Sequence, residues 1–419
     1  MKIIVPFVLI GLLAWPQTIV AADSNEQSAS IVSLSAVIEE TLGNNPDLAA
    51  MRHRWEAARE EIPQARALDD PHVTLTQWAI PSNFNLFGAE ETWIGLEQAI
   101  PFPGKRSLRG RMAETAADVG EQNYRAKVRE TVAAVKAAYA RLFLARKMID
   151  LHVEHQALLE EFIEVARRKY TVGQLSQQAL LKAQVELSRL HNSLLIAEQE
   201  VVSALTEMNR LLGRPPEGGI GPLDALTERP FSHTINALQE RALANRPELR
   251  AASFAIQQSE QAKALAKKNY LPDFAVEVAY WNVHSGSDRW QAALTMNLPW
   301  LFPGKYDARV RQAAMEEQRA RAEFVATRND TIARLHDLFA GVKSAERLLQ
   351  TYQGGVLPQA EQLLESARIG YQAGRVDFLE VIESERTLRD MQLDYYTALA
   401  QFWQQAAEIE RVVGEDVAF

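Results

Sequence analysis

The chain has 419 residues, with 45 lysines and arginines against 54 aspartates and glutamates, and no cysteine. A net charge of −9 argues against a nucleic-acid partner and leaves no basic patch for anionic headgroups. The missing cysteines exclude a disulfide framework, a thiol nucleophile and a lipidated cysteine, while 47 % hydrophobic and 24 % charged residues are the proportions of an ordered protein.

The first predicted element is an export signal. Lys2 precedes an apolar run from Ile3 to Trp15, and Val20-Ala21-Ala22 offers small residues for signal peptidase. Residues 1–22 therefore read as a signal peptide, with the mature chain starting at Asp23. Its removal takes Lys2 and leaves 44 basic against 54 acidic side chains, a net charge of −10. No later apolar run approaches about 18 residues, so no transmembrane helix is expected.

Beyond the signal the chain says everything twice. Asn45-Pro46-Asp47-Leu48 returns as Arg246-Pro247-Glu248-Leu249, Pro71 as Pro272, Tyr170-Thr171-Val172-Gly173 as Tyr371-Gln372-Ala373-Gly374, and Leu211-Leu212-Gly213 as Val412-Val413-Gly414, each 201 residues on. Phe102-Pro103-Gly104-Lys105 returns as Phe302-Pro303-Gly304-Lys305, 200 residues on. Two repeats follow, 23–228 and 229–419. A period this long lies outside the solenoid range and implies two structural halves.

Each half opens with a short predicted helix (Leu34 to Gly43; Ile235 to Asn245) and a second one (about 48–68; 248–268). Two strands come next, at about 71–80 and 92–100, then 273–281 and 290–298. After Phe-Pro-Gly-Lys the pattern is helical over about 104–170 and 304–371, the latter crossing Gly354-Gly355 and Pro358, and each rod returns as a helix over about 174–212 and 375–413. At 1.5 Å per residue, about 65 helical residues make a rod of roughly 100 Å. Such rods must pack along each other as coiled coils. The sequence between Ala116 and Lys147 is rich in strong helix formers, and Val128, Val132, Val135, Tyr139 and Leu142 recur at helical spacing.

The strands separate a channel from a soluble helical bundle. Phe274, Val276, Val278 and Tyr280 alternate with Ala275, Glu277 and Ala279, and Trp290, Ala292, Leu294, Met296 and Leu298 alternate with Gln291, Ala293, Thr295 and Asn297. Period-two segments of about nine residues with aromatic ends fit strands of a transmembrane β-barrel. Four strands cannot close one, and lipid cannot satisfy an open edge, so the barrel needs further copies. Phe-Pro-Gly-Lys then reads as the strand-to-helix hinge: Pro101, Pro103, Pro299 and Pro303 end the ladder, and Gly104 and Gly304 free the backbone to bend.

A tandem repeat of helix, β-hairpin, Pro-Gly hinge, long helix, Tyr-x-x-Gly and return helix resembles the TolC family of outer-membrane efflux channels over essentially all of the mature chain. Pro101-Phe102-Pro103-Gly104-Lys105-Arg106, with Leu96-Glu97-Gln98 before it, is most similar to the branch serving heavy-metal cation exporters. The resemblance implies a homotrimer with a twelve-stranded barrel in the outer membrane and a helical tunnel into the periplasm. Residues about 214–232 would belong to an equatorial band. It further implies a passive exit duct fed by an RND-type inner-membrane pump through a periplasmic adaptor, which would dock on tip turns containing Tyr170, Gly173, Tyr371 and Gly374. The family's gate acids fall on Glu380 and Glu383, which with Asp377 make an i, i+3, i+6 stripe. Acids also favour a helix N-terminus, so the stripe has two readings. Arg375 stands beside the family's gate arginine position, which Val376 occupies.

His152 and His155 have i, i+3 spacing that could hold a metal, but zinc asks for three or more protein ligands, and two histidines on a coiled-coil face are expected to be solvated. No catalytic or cofactor motif is present, so neither an enzyme nor a bound cofactor is expected. The alternatives are an outer-membrane duct for type I protein secretion and, in another class, a periplasmic coiled-coil adaptor.

Overall fold

The computed structural model describes residues 31–82 and 84–417; the export signal lies outside them. The first half runs α1 (Leu34–Asn44), α2 (Pro46–Arg66), β1 (His72–Trp78), β2 (Glu91–Ile100), α3 (Lys105–Thr171) and α4 (Gln177–Leu212). The second runs α5 (Ile235–Asn245), α6 (Pro247–Lys268), β3 (Phe274–Val283), β4 (Arg289–Met296), α7 (Pro303–Thr351), a π-helical turn (Tyr352–Val356), α8 (Leu357–Gln372) and α9 (Phe378–Val413). Among the described residues no helix is long and apolar enough to cross a membrane.

α3 has 67 residues and is about 100 Å long. Two shorter helices line up end to end beside it. Asn45 makes the joint: its Oδ1 caps α2 at Asp47 N and Leu48 N (2.9 and 3.1 Å), while its Nδ2 donates to Leu211 O at the end of α4 (2.8 Å). One buried side chain thus serves orphan groups of two helix ends. Of the predicted seam on α3, Val135, Tyr139 and Leu142 are fully buried, and Val128 and Val132 half-buried. The cores are accordingly strung along the rods, with one cluster at the tip (Leu159, Phe162, Leu190, Leu364, Phe378, Val381) and two at mid-height.

At the far end the strands form one antiparallel sheet in the order β1-β2-β3-β4. Its register sets the two faces. Leu75, Ile94, Tyr280 and Trp290 lie in one cross-strand row, and Val73, Leu96, Val278 and Ala292 in the next. This face is apolar and open, with Val73 72 % and Trp290 75 % exposed. The opposite face carries rows such as His72, Glu97, Glu277 and Ala293. β1 stops at Trp78 rather than Ile80 because Ala79 adopts φ 52°, which no ladder residue holds.

The two hinges differ. Gly104 takes φ 89° immediately before α3, as the sequence leads one to expect. Gly304 does not: α7 already begins at Pro303, Gly304 is helical, and the bend is made at residues 299–302 by a 3₁₀ turn (Pro299–Leu301) and Phe302. Pro303 is preorganised for the first helical position, so the helix starts two residues earlier than its counterpart α3 and needs no left-handed glycine. The first hinge is also bolted. Lys105, 1 % exposed, donates to Leu271 O (2.7 Å) and Asp273 Oδ1 (2.9 Å), and Asp273 Oδ1 also accepts the Phe102 N–H (2.8 Å).

Replacing Asp273 by Ala leaves a buried ammonium with a single carbonyl partner. The expected cost is about 2 kcal/mol, tempered by the partial exposure of Asp273, and Asp273→Asn should cost less. Denaturant unfolding of the detergent-solubilised protein measures both, and an Ala variant as stable as the parent would remove the bolt from the account.

Candidate functional site

The end of the rods opposite the sheet is built from two similar turns. α3 closes with Gly173 at φ 76° and α8 with Gly374 at φ 72°. In each, the residue after the glycine donates back five positions: Gln174 N to Lys169 O and Arg375 N to Gly370 O, both 2.8 Å. These are Schellman-type caps, which need the left-handed glycine. Across the tip, Lys169 Nζ sits 3.7 Å from the centroid of Tyr371, and Tyr371 packs on Phe378. Burial, with the Asp377 charge adding, pushes the Tyr371 phenol up. Val376 folds over Gly370, leaving no room there for a Cβ, so the position matching the gate arginine is used for packing. Arg375 is exposed and makes no ion pair within the described chain.

The acidic stripe follows. Ser176 caps α4 by accepting from Ala179 N (3.2 Å). Asp377 stands at the corresponding place before α9, yet its carboxylate caps nothing. Asp377, Glu380 and Glu383 are all exposed, and none has a side-chain hydrogen bond or ion pair among the described residues. Helix capping therefore does not account for Asp377, and three carboxylates stay available on one side of α9. Glu383 borders a groove between α4 and α9 lined also by Lys182, Val185, Arg189 and Arg386.

The other side of α9 is bolted down by charges that the sequence reading missed. Glu385, fully buried, holds His155 Nδ1 of α3 at 2.8 Å, and His155 Nε2 lies 2.8 Å from Gln392 Oε1. Arg389 donates to Glu186 Oε1 of α4 at 3.1 Å, both side chains being 9 % exposed. His152 and His155 are thus buried, not solvated as expected, because both fall in the inward phase of α3 with Leu151, Leu159 and Phe162. The described residues contain no cluster of three or more metal-binding side chains. The missed signal was phase: Glu385 and Arg389 continue the helical spacing of Phe378, Val381, Ile382 and Leu388.

The two histidines titrate in opposite senses. Burial pushes His155 down, but hydrogen bonds to Glu385 and Gln392 and the Glu385 charge outweigh it and hold the ring above its ordinary pKa. Burial, with Arg389 and His155, lowers His152 against a smaller pull from Asp390. His155 therefore contributes stability that is complete below about pH 6.5 and is lost as pH rises through its raised folded value. His152 contributes stability that is present above about pH 6.5 and is lost as pH falls through its lowered value. Thermal stability in detergent should peak near the ordinary histidine pKa. His155→Gln should flatten the alkaline limb and His152→Gln the acid limb, and an unaltered alkaline limb in His155→Gln would remove the pair from that role.

Comparison with known proteins adds the family. The Outer membrane efflux protein family matches the chain twice, over residues 37–214 and 238–415. The cobalt-zinc-cadmium resistance protein CzcC of Cupriavidus metallidurans is 24 % identical over 396 residues, covering 93 % of this chain and 91 % of CzcC. The alkaline protease secretion protein AprF of Pseudomonas aeruginosa is 22 % identical over 392 residues, covering 86 % and 81 %. Among solved structures, the open state of the Neisseria gonorrhoeae MtrE outer membrane channel superposes with a TM-score of 0.79 at 16 % identity, over 91 % of this chain and 89 % of that one. CusC superposes with a TM-score of 0.77 at 16 % identity, over 91 % and 92 %. At these identities the structures establish the fold.

Proposed function

The chain belongs to the outer membrane efflux protein family, and from that membership we propose that three copies form a passive exit duct across the outer membrane. Each copy contributes four strands to a twelve-stranded barrel, with the apolar face of the sheet toward lipid and the row of His72, Glu97 and Glu277 toward the lumen. The rods continue the duct into the periplasm. The tip turns at Tyr170–Gly173 and Tyr371–Gly374 receive a periplasmic adaptor, and an RND-type inner-membrane pump supplies the driving force.

The observation that carries this reading is the sheet: an exposed apolar face joined to two edge strands that have no further partner among the described residues. Lipid cannot satisfy those backbone groups, and copies of the chain can. An adaptor scaffold is not what the matched family describes. At the tip, Asp377, Glu380 and Glu383 converge from three copies on the constriction and attract cations. Similarity to CzcC favours metal cations as cargo, while similarity to AprF supports secreted polypeptides as the second reading.

Planar-bilayer recordings test the gate. Divalent cations should block the parent channel, and Glu380→Gln with Glu383→Gln should raise the half-blocking concentration about tenfold or more, some 1.4 kcal/mol of lost attraction. Equal block in both proteins would take Glu380 and Glu383 out of the constriction. Cargo is separated in cells: deletion that sensitises the bacterium to transition-metal cations supports the first reading, and loss of a secreted protein without metal sensitivity supports the second.

A further inference from the structure

The bolt at the first hinge joins the two halves, because Lys105 opens the first rod while Leu271 and Asp273 precede β3 of the second half. The duplicated sequence supplies the same lysine again. Lys305 stands in the same Pro-Gly-Lys context, yet it is exposed, and among the described residues it has no ion pair and contacts only the Tyr306 ring, 5.7 Å away. The residues matching Leu271-Pro272-Asp273 are Asp70-Pro71-His72, ahead of β1. Asp69 and Asp70 are exposed, and neither carboxylate has a partner among the described residues. An unpaired lysine and unpaired aspartates thus occupy corresponding places beside opposite edges of the sheet.

The packing order shows why they cannot meet within one chain. Helices touch in the sequence α2–α3, α3–α6, α6–α7, and strands pair β1–β2, β2–β3, β3–β4. The chain is two steps of one arc, and the junction between its halves is α3 against α6 with β2 against β3. Repeating that step from the second half brings α7 to α2, and β4 to β1, of another copy. Lower on the rods the same relation holds: Tyr396 of α9 packs on Phe143 of α3 across the internal junction, while Leu195, its counterpart on α4, is 63 % exposed.

We infer that Lys305 of one copy seats at the start of β1 of the next and pairs there with Asp70, reproducing between copies the bolt that Lys105 makes within one. The carboxylate has moved: the position of Asp273 is held by His72, and the acid lies on the other side of the shared proline, at Asp70. The inference rests on the ring-forming reading above and names its contact.

The chain has no cysteine, which makes the test direct. Full-length protein carrying Lys305→Cys and Asp70→Cys is treated in outer membranes with a bis-maleimide about the length of a lysine side chain. Covalent dimers and trimers on denaturing gels are expected from the double variant and not from either single one. Unheated samples of the same protein report assembly independently. Trimers on the unheated gel without a covalent ladder would overturn the Lys305–Asp70 contact and leave the duct intact; unheated parent protein migrating as a monomer would overturn both. In a charge exchange, Lys305→Asp should lower the temperature at which trimers dissociate, and Asp70→Lys in the same chain should restore it. Failure of that restoration also counts against the contact.

Discussion

Backbone hydrogen bonding at two strand edges is the constraint on which the rest of this structure turns. Among the described residues β1 and β4 each have a neighbour on one side only, while the face they share with β2 and β3 is apolar and open. In water such a sheet would be an aggregation hazard. In lipid it would be incomplete, because unpaired N–H and C=O groups find nothing to bond in hydrocarbon. The long rods inherit their placement from this sheet: α3 leaves β2 through a hinge whose lysine is anchored on the other half of the chain, so strand order dictates helix order.

Along the rods a different physics takes over. Small residues let the helices approach, and a few charges are spent inside the packing rather than on its surface. α9 divides the two uses cleanly. Glu385 and Arg389 are buried and tie it to α3 and α4, whereas Asp377, Glu380 and Glu383 on its exposed side have no side-chain partner among the described residues. Removing one member of a buried pair is costly, so the interior charges fix where the exterior ones stand.

Much of this was legible in the residues themselves. Alternation along Phe274 to Tyr280 and Trp290 to Leu298 announced strands with two unlike faces, and the run of strong helix formers without proline between Gly104 and Gly213 announced the first rod. What escaped was decided by tertiary contact or by a neighbouring residue. His152 and His155 look like surface residues until α9 covers them. Glu385 looks like one more acid in an acidic helix until its phase is compared with that of Val381 and Leu388. Gly304 copies Gly104 in sequence and not in conformation, since Pro303 begins its helix early. The end of β1 rested on the backbone of Ala79, which no side-chain pattern encodes.

The π-helical turn at Tyr352–Val356 explains a small arithmetic oddity. The two halves are 200 residues out of step at Phe-Pro-Gly-Lys and 201 at Tyr-x-x-Gly, so the second rod is one residue longer than the first between the same landmarks. A π-bulge is how a helix stores one surplus residue without rotating everything beyond it, and Gly354 and Gly355, with no Cβ to place, suit the widened turn. The two rods therefore differ in length while α8 and α3 still end in similar turns at the tip. Indels in a packed rod of this kind need not scramble its far end when a glycine pair can swallow the slip.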